Sequence, residues 1–89
     1  QEVARAAAAV LRTKYGAARV VLFGSLAHPA RFHVRSDVDL AVWGIDERAY
    51  LRAVADVTAL DADVLVDLVR VEEIASSLLT TIEKEGQEL

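Results

Sequence analysis

The sequence predicts an α/β (α+β) domain, helices packed around a small sheet. Three observations predict it. Short runs of branched apolar residues, such as Val20-Val21-Leu22-Phe23, alternate with longer stretches whose apolar residues recur at helical spacing. Gly16, Gly24, Gly44 and Gly86 stand at the ends of those runs, where a chain stops or turns. The chain has 89 residues, 54% of them hydrophobic, which fills one core and leaves no room for a second, so residues 1–89 read as a single domain.

The elements follow in order. Val3, Ala6, Ala7, Val10 and Leu11, with alanine filler, make an amphipathic first helix. It ends near Tyr15, with Gly16 suited to the left-handed C-terminal position. Residues 19–23 are a buried strand closed by Gly24. Residues 25–30 form a short helix or turn limited by Pro29, and residues 31–36 a polar, basic loop. Residues 37–43 are the second strand, closed by Gly44. Asp46 is placed to cap a helix running to about residue 60, with Tyr50, Leu51, Val54, Val57 and Leu60 on one face. Residues 63–71 are the third strand, in which Asp67 interrupts Val64, Leu65, Val66, Leu68 and Val69. Residues 72–85 are the last helix, with Ile74, Leu78, Leu79 and Ile82 inward and Gly86 as its stop.

Composition narrows the function. No apolar run approaches the ~20 residues that cross a bilayer, so no membrane association is expected. No secretory signal pattern is visible, and the chain opens at Gln1 in place of a methionine. Cysteine is absent, which excludes disulfides, thiolate metal sites and cysteine nucleophiles, and is compatible with the cytoplasm. The net charge is −4, without a basic stripe, so stand-alone nucleic-acid binding is not expected.

The chemistry concentrates in Phe23-Gly24-Ser25 and Ser36-Asp37-Val38-Asp39-Leu40. In a strand, alternate residues share a face, so Asp37 and Asp39 project together while Val38 and Leu40 turn into the core. Two close carboxylates call for a cation, and Mg²⁺ takes oxygen ligands and keeps room for phosphates. Asp67 adds a third carboxylate from a later strand, and three convergent carboxylates suit a two-metal site. Gly24 lets the backbone approach a phosphate, and Ser25 offers a hydroxyl.

Plainer readings stand beside these. An isolated Asp-x-Asp is more often a cap and a solvent-facing strand residue, and Ser25 is a ready helix cap. Asp61 and Asp63 read as loop residues, His28 and His33 as solvated, Trp43 as core or interface. Other Asp-x-Asp chemistries fail on context. Haloacid-dehalogenase-type phosphatases place the pair after an apolar strand, and here the apolar Leu40-Ala41-Val42-Trp43 follows it. Glycosyltransferases need a longer chain. An EF-hand counted from Asp37 would need Gly and Glu where Val42 and Arg48 stand.

The ordered set resembles the nucleotidyltransferase superfamily that includes DNA polymerase β, most closely its minimal nucleotidyltransferases. The residues that carry the resemblance are Val20-Val21-Leu22-Phe23-Gly24-Ser25, then Ser36-Asp37-Val38-Asp39-Leu40, then Val66-Asp67-Leu68-Val69, with the tail Ile82-Glu83-Lys84-Glu85-Gly86. It implies a nucleotidyltransferase fold, a small mixed sheet of about three to four strands flanked by helices. It implies Asp37 and Asp39 on both of two Mg²⁺ ions, Asp67 on the catalytic one, and Gly24 and Ser25 on the β/γ phosphates of ATP or another nucleoside triphosphate. The residues 26–36 make a loop one longer than the usual spacing, and Leu26-Ala27-His28-Pro29 lacks the arginine common after the serine. Arg31 or Arg35 is the substitute, Arg35 being the assigned phosphate contact. The resemblance also implies a helical HEPN-type partner, antitoxin to toxin in the cytoplasm, and transfer of AMP to that partner. A non-catalytic module that neutralises its partner by contact is the alternative from another class, and a small-molecule acceptor a third. Oligomeric state stays open.

Overall fold

The structure, a computed structural model, describes residues 2–24 and 37–89. The expected short helix or turn at 25–30 and basic loop at 31–36 lie outside the described residues, as do Ser25, His28, Arg31, His33 and Arg35. Helix α1 (Glu2–Tyr15) leads into β1 (Arg19–Phe23). Strand β2 (Val38–Trp43) is followed by a 3₁₀ turn at Glu47–Ala49 and helix α2 (Tyr50–Thr58). Strand β3 (Val66–Arg70), a second 3₁₀ turn (Val71–Glu73), helix α3 (Ser76–Glu85) and the two-residue β4 (Gln87–Glu88) complete it. The sheet order is β3-β2-β1-β4. β1 runs antiparallel to β2 and to β4, and β2 runs parallel to β3, so the expected mixed sheet is present.

Strand alternation sorts the core into two layers. Val20, Val38, Leu40, Val42 and Leu68 face α1 and α2, packing on Ala4, Ala7, Leu11, Ala53 and Val57. Val21, Phe23 and Ala41 face the other way, against Ile82 of α3 and the partly buried Leu78 and Leu79. Two helices cover one face and one covers the other. β2 lies between two partners and is buried along almost its whole length, as a central strand must be.

Several boundaries move. The α1 stripe is Ala4, Ala7, Ala8 and Leu11, and Ala6 is exposed. Those positions keep the i, i+3, i+4, i+7 spacing, and their small side chains bring the helix close to the sheet. Gly16 adopts φ +71°, and its N–H donates to the Arg12 carbonyl at 3.2 Å, the expected left-handed cap. Asp46 accepts from the Arg48 N–H at 3.1 Å, capping the 3₁₀ turn that precedes α2. Helix α2 stops at Thr58, and Leu51 and Leu60, expected inward, are 77% and 39% exposed. The inward row is Tyr50, Ala53, Val54 and Val57, and at about 100° per residue Leu51 falls beside it. β3 starts at Val66, not residue 63, because Asp61 first closes a turn by accepting from the Asp63 N–H at 2.9 Å. The last helix begins at Ser76, not residue 72, after the 3₁₀ turn. Gly86 ends it with φ −77° and leads into β4, a strand with no hydrophobic signal.

Candidate active site

β2 and β3 carry the carboxylates, and their parallel register decides how they meet. Asp39 lies directly opposite Asp67, and on the other side Asp39 pairs with Phe23. Neighbouring strands are about 4.8 Å apart, so the two carboxylates project side by side from one face. It is the face that α3 packs on, one step beyond the apolar row of Val21, Ala41 and Val69. Gly24, exposed, follows Phe23 at the same end of the sheet. Asp39 is 6% exposed and is the buried charged residue of the domain among those described. A carboxylate held there beside a second one attracts a cation.

Asp37 is placed differently. It precedes β2, is exposed, and its Oδ2 accepts from the Leu65 N–H at 3.0 Å. The Leu65 carbonyl in turn accepts from the N–H groups of Asp37 (2.9 Å) and Val38 (3.1 Å). These three bonds fasten the start of β2 to the start of β3. The register thus sets Asp39 facing Asp67, while one oxygen of Asp37 bonds the start of β3. Among the described residues, no three His, Cys, Asp or Glu side chains are gathered as a metal-holding group. The all-oxygen donors suit Mg²⁺. Asp39 and Asp67 stand side by side, and the hydrogen bond from Leu65 occupies one oxygen of Asp37.

Tyr50 and Leu65 are site neighbours that the sequence does not single out. The Tyr50 hydroxyl donates to the Leu68 carbonyl, one residue from Asp67, and ties α2 to β3 at the sheet's end. Burial raises the Tyr50 pKa, the charges of Asp67 and Glu73 raise it further, and Arg70 opposes them. Helical spacing marks Tyr50 only as an inward residue. Leu65 acts through its backbone, which no side-chain pattern announces. Trp43 lies at the far end of the sheet, with the Arg19 guanidinium 4.4 Å from its ring centroid, so it is not part of this site.

The family profile described as "Polymerase beta, Nucleotidyltransferase" matches residues 7–89. This chain belongs to the polymerase beta nucleotidyltransferase family. Its fold is shared with a chain of the complex between the tri-AMPylated HEPN toxin and MNT antitoxin of Shewanella oneidensis. There the identity is 23%, the TM-score 0.71, and the match covers 99% of this chain and 69% of that one. A chain of the toxin–antitoxin complex MntA–HepT matches at 22% identity and TM-score 0.69, over 99% of this chain and 69% of the other. A toxin–antitoxin structure with AMP-PNP matches at 23% and 0.66, over 93% and 69%. At such identity the likeness is one of fold. No curated protein matches this chain. In this nucleotidyltransferase domain the Asp39–Asp67 pair and Gly24 sit at one end of the family's sheet.

Proposed function

We propose that this domain is a Mg²⁺- and ATP-dependent nucleotidyltransferase that moves AMP to a hydroxyl of a HEPN-type partner protein, as the antitoxin of a cytoplasmic toxin–antitoxin pair. The in-register pairing of Asp39 with Asp67 beside Gly24, in a chain of this family, carries the reading. Two solved structures of the same fold add support: one contains an AMPylated toxin and one contains AMP-PNP.

Asp37, Asp39 and Asp67 would hold Mg²⁺, which neutralises triphosphate charge when bound. Gly24 would let phosphate oxygens reach the backbone, and Ser25 and Arg35 would donate to them. An Asp67 carboxylate oxygen would take the proton of the acceptor hydroxyl. The acceptor oxygen then bonds to the α-phosphorus, the bond to the bridging oxygen breaks, and pyrophosphate leaves. Asp39, almost wholly buried, would be the fixed point against which the other groups are aligned.

The test incubates the domain with its HEPN partner, α-labelled ATP and Mg²⁺. Label should appear on the partner and vanish with Asp39→Asn or Asp67→Asn. The second reading is a binding module that neutralises its partner by contact. Neutralisation that survives in Asp39→Asn, with no label transferred by the wild type, would establish that second reading.

A further inference from the structure

Two of the three large apolar side chains exposed among the described residues stand on one connection, that from α2 to β3. Leu60 is 39% exposed and Leu65 57%. Asp61 folds the connection back between them. Its side chain accepts from the Asp63 N–H at 2.9 Å, and its carbonyl accepts from the Val64 N–H at 3.2 Å. Leu65 is held more firmly still. Its carbonyl accepts from the Val38 N–H at 3.1 Å, as a ladder bond does, and its own N–H donates to Asp37 Oδ2 at 3.0 Å. It therefore continues β3 by one residue, and strand alternation sets it on the face of Asp67, about 6.6 Å along the chain. A backbone fixed this way loses little further freedom when the leucine is covered. The connection also carries one sign of charge. Residues 57–69 include Asp61, Asp63 and Asp67 and no lysine or arginine. Asp61 and Asp63 are exposed, and among the described residues no ion pair engages either.

We propose that this connection is the docking lip for the acceptor. It receives a segment of the partner protein whose apolar side chains cover Leu60 and Leu65 and whose lysines or arginines stand opposite Asp61 and Asp63. The proposal rests on the transferase reading for the hydroxyl that the segment delivers, and on the surface itself for the contact. Position, charge and symmetry select this occupant. Leu65 and Asp67 share a face two residues apart, so a segment resting on Leu65 has its neighbouring side chains within reach of the carboxylate pair. The charge of the turn attracts a cationic segment and repels a triphosphate, so the lip suits the acceptor and not the donor nucleotide. A second copy of this chain docked through the same patch would bring Asp61 and Asp63 against their own counterparts, like charge on like. A partner with the opposite charge meets no such penalty.

The test measures binding between the domain and the partner protein of the transfer assay by calorimetry, without nucleotide. Leu65→Gln should weaken it roughly tenfold or more. Asp61→Asn/Asp63→Asn, which keeps an oxygen to close the turn, should weaken it and flatten its dependence on salt. Leu65→Gln should bind AMP-PNP with Mg²⁺ as the wild type does and unfold at the same temperature, since its side chain is exposed. In the transfer assay it should raise the KM of the partner and leave that of ATP unchanged. Unchanged partner affinity in Leu65→Gln, beside label transfer by the wild type, would overturn this proposal alone. Weaker AMP-PNP binding in Leu65→Gln would overturn it by making Leu65 a contact of the nucleotide. A dimer of the domain that dissociates in Leu65→Gln would overturn it by placing a second copy on the lip. Absent label transfer would count against the transferase reading, and the affinities would still decide the docking surface.

Discussion

Asp39 and Tyr50 show how single side chains divide the work of the site. Asp39 is almost wholly buried and faces a second carboxylate across the β2–β3 pair, an arrangement that cation binding relieves. Mg²⁺ should accordingly raise the thermal midpoint of the wild type by mass action, and Asp39→Asn should abolish that rise, as calorimetry with and without EDTA would record. Tyr50 serves the backbone next to Asp67. Tyr50→Phe should cost about 1 kcal/mol in urea unfolding, the ordinary worth of a hydrogen bond. The sign of its pH dependence follows from its raised pKa. Its contribution is complete below the ordinary 10.0 and is lost as the pH climbs through the higher folded value. Gly86 is demanded by space. A Cβ there would collide with Val21 Cγ1 and stand 2.6 Å from the Ile82 carbonyl oxygen, so Gly86→Ala should destabilise by about 1–3 kcal/mol and loosen β4.

At the scale of elements, α1 and α2 are joined by a polar clasp as well as by the core. Lys14 Nζ bonds Asp56 Oδ2 at 2.6 Å, and the Tyr15 hydroxyl donates to the same oxygen. The hydrogen bond from Lys14 comes first among the causes that lower the Asp56 pKa below 3.8, followed by that from Tyr15. A lowered carboxylate contributes stability above its unfolded pKa and loses it as the pH falls through the folded value, so the clasp's contribution should fade as the pH drops below 3.8. Asp56→Asn should flatten the acid limb of a stability-against-pH curve and leave the neutral region less stable than wild type. The same elements show what the sequence discloses. β1 and the left-handed Gly16 are legible because branched apolar runs and glycine punctuation are local signals. The start of β3 is not, because Val64 and Leu65 are as apolar as the strand itself, and a turn set by Asp61 decides the boundary. β4 is hidden because Gln87 and Glu88 owe their strand conformation to pairing with Leu22 and Val21, not to their own side chains. In the site, the sequence singles out Asp37, Asp39 and Asp67 alike, but only the strand register shows Asp39 facing Asp67 while one oxygen of Asp37 bonds the Leu65 N–H.

At the scale of the whole molecule, β2 is antiparallel to β1 on one side and parallel to β3 on the other. Asp39 on this one strand is paired with Phe23 from one neighbour and with Asp67 from the other. Leu40, wholly buried at its centre, should cost about 2–5 kcal/mol when changed to alanine, and the loss should loosen both pairings together. Edge strands open more readily than central ones, so amide hydrogens in β2 should exchange at the rate of global unfolding, while those of β4 and the outer side of β3 exchange through smaller openings. Slow exchange would then coincide with Asp39 and faster exchange with the segment that carries Asp67. The site is therefore anchored at its middle and adjustable at its edge: a ligand that draws Asp67 inward would register as protection of β3 long before it altered anything in β2.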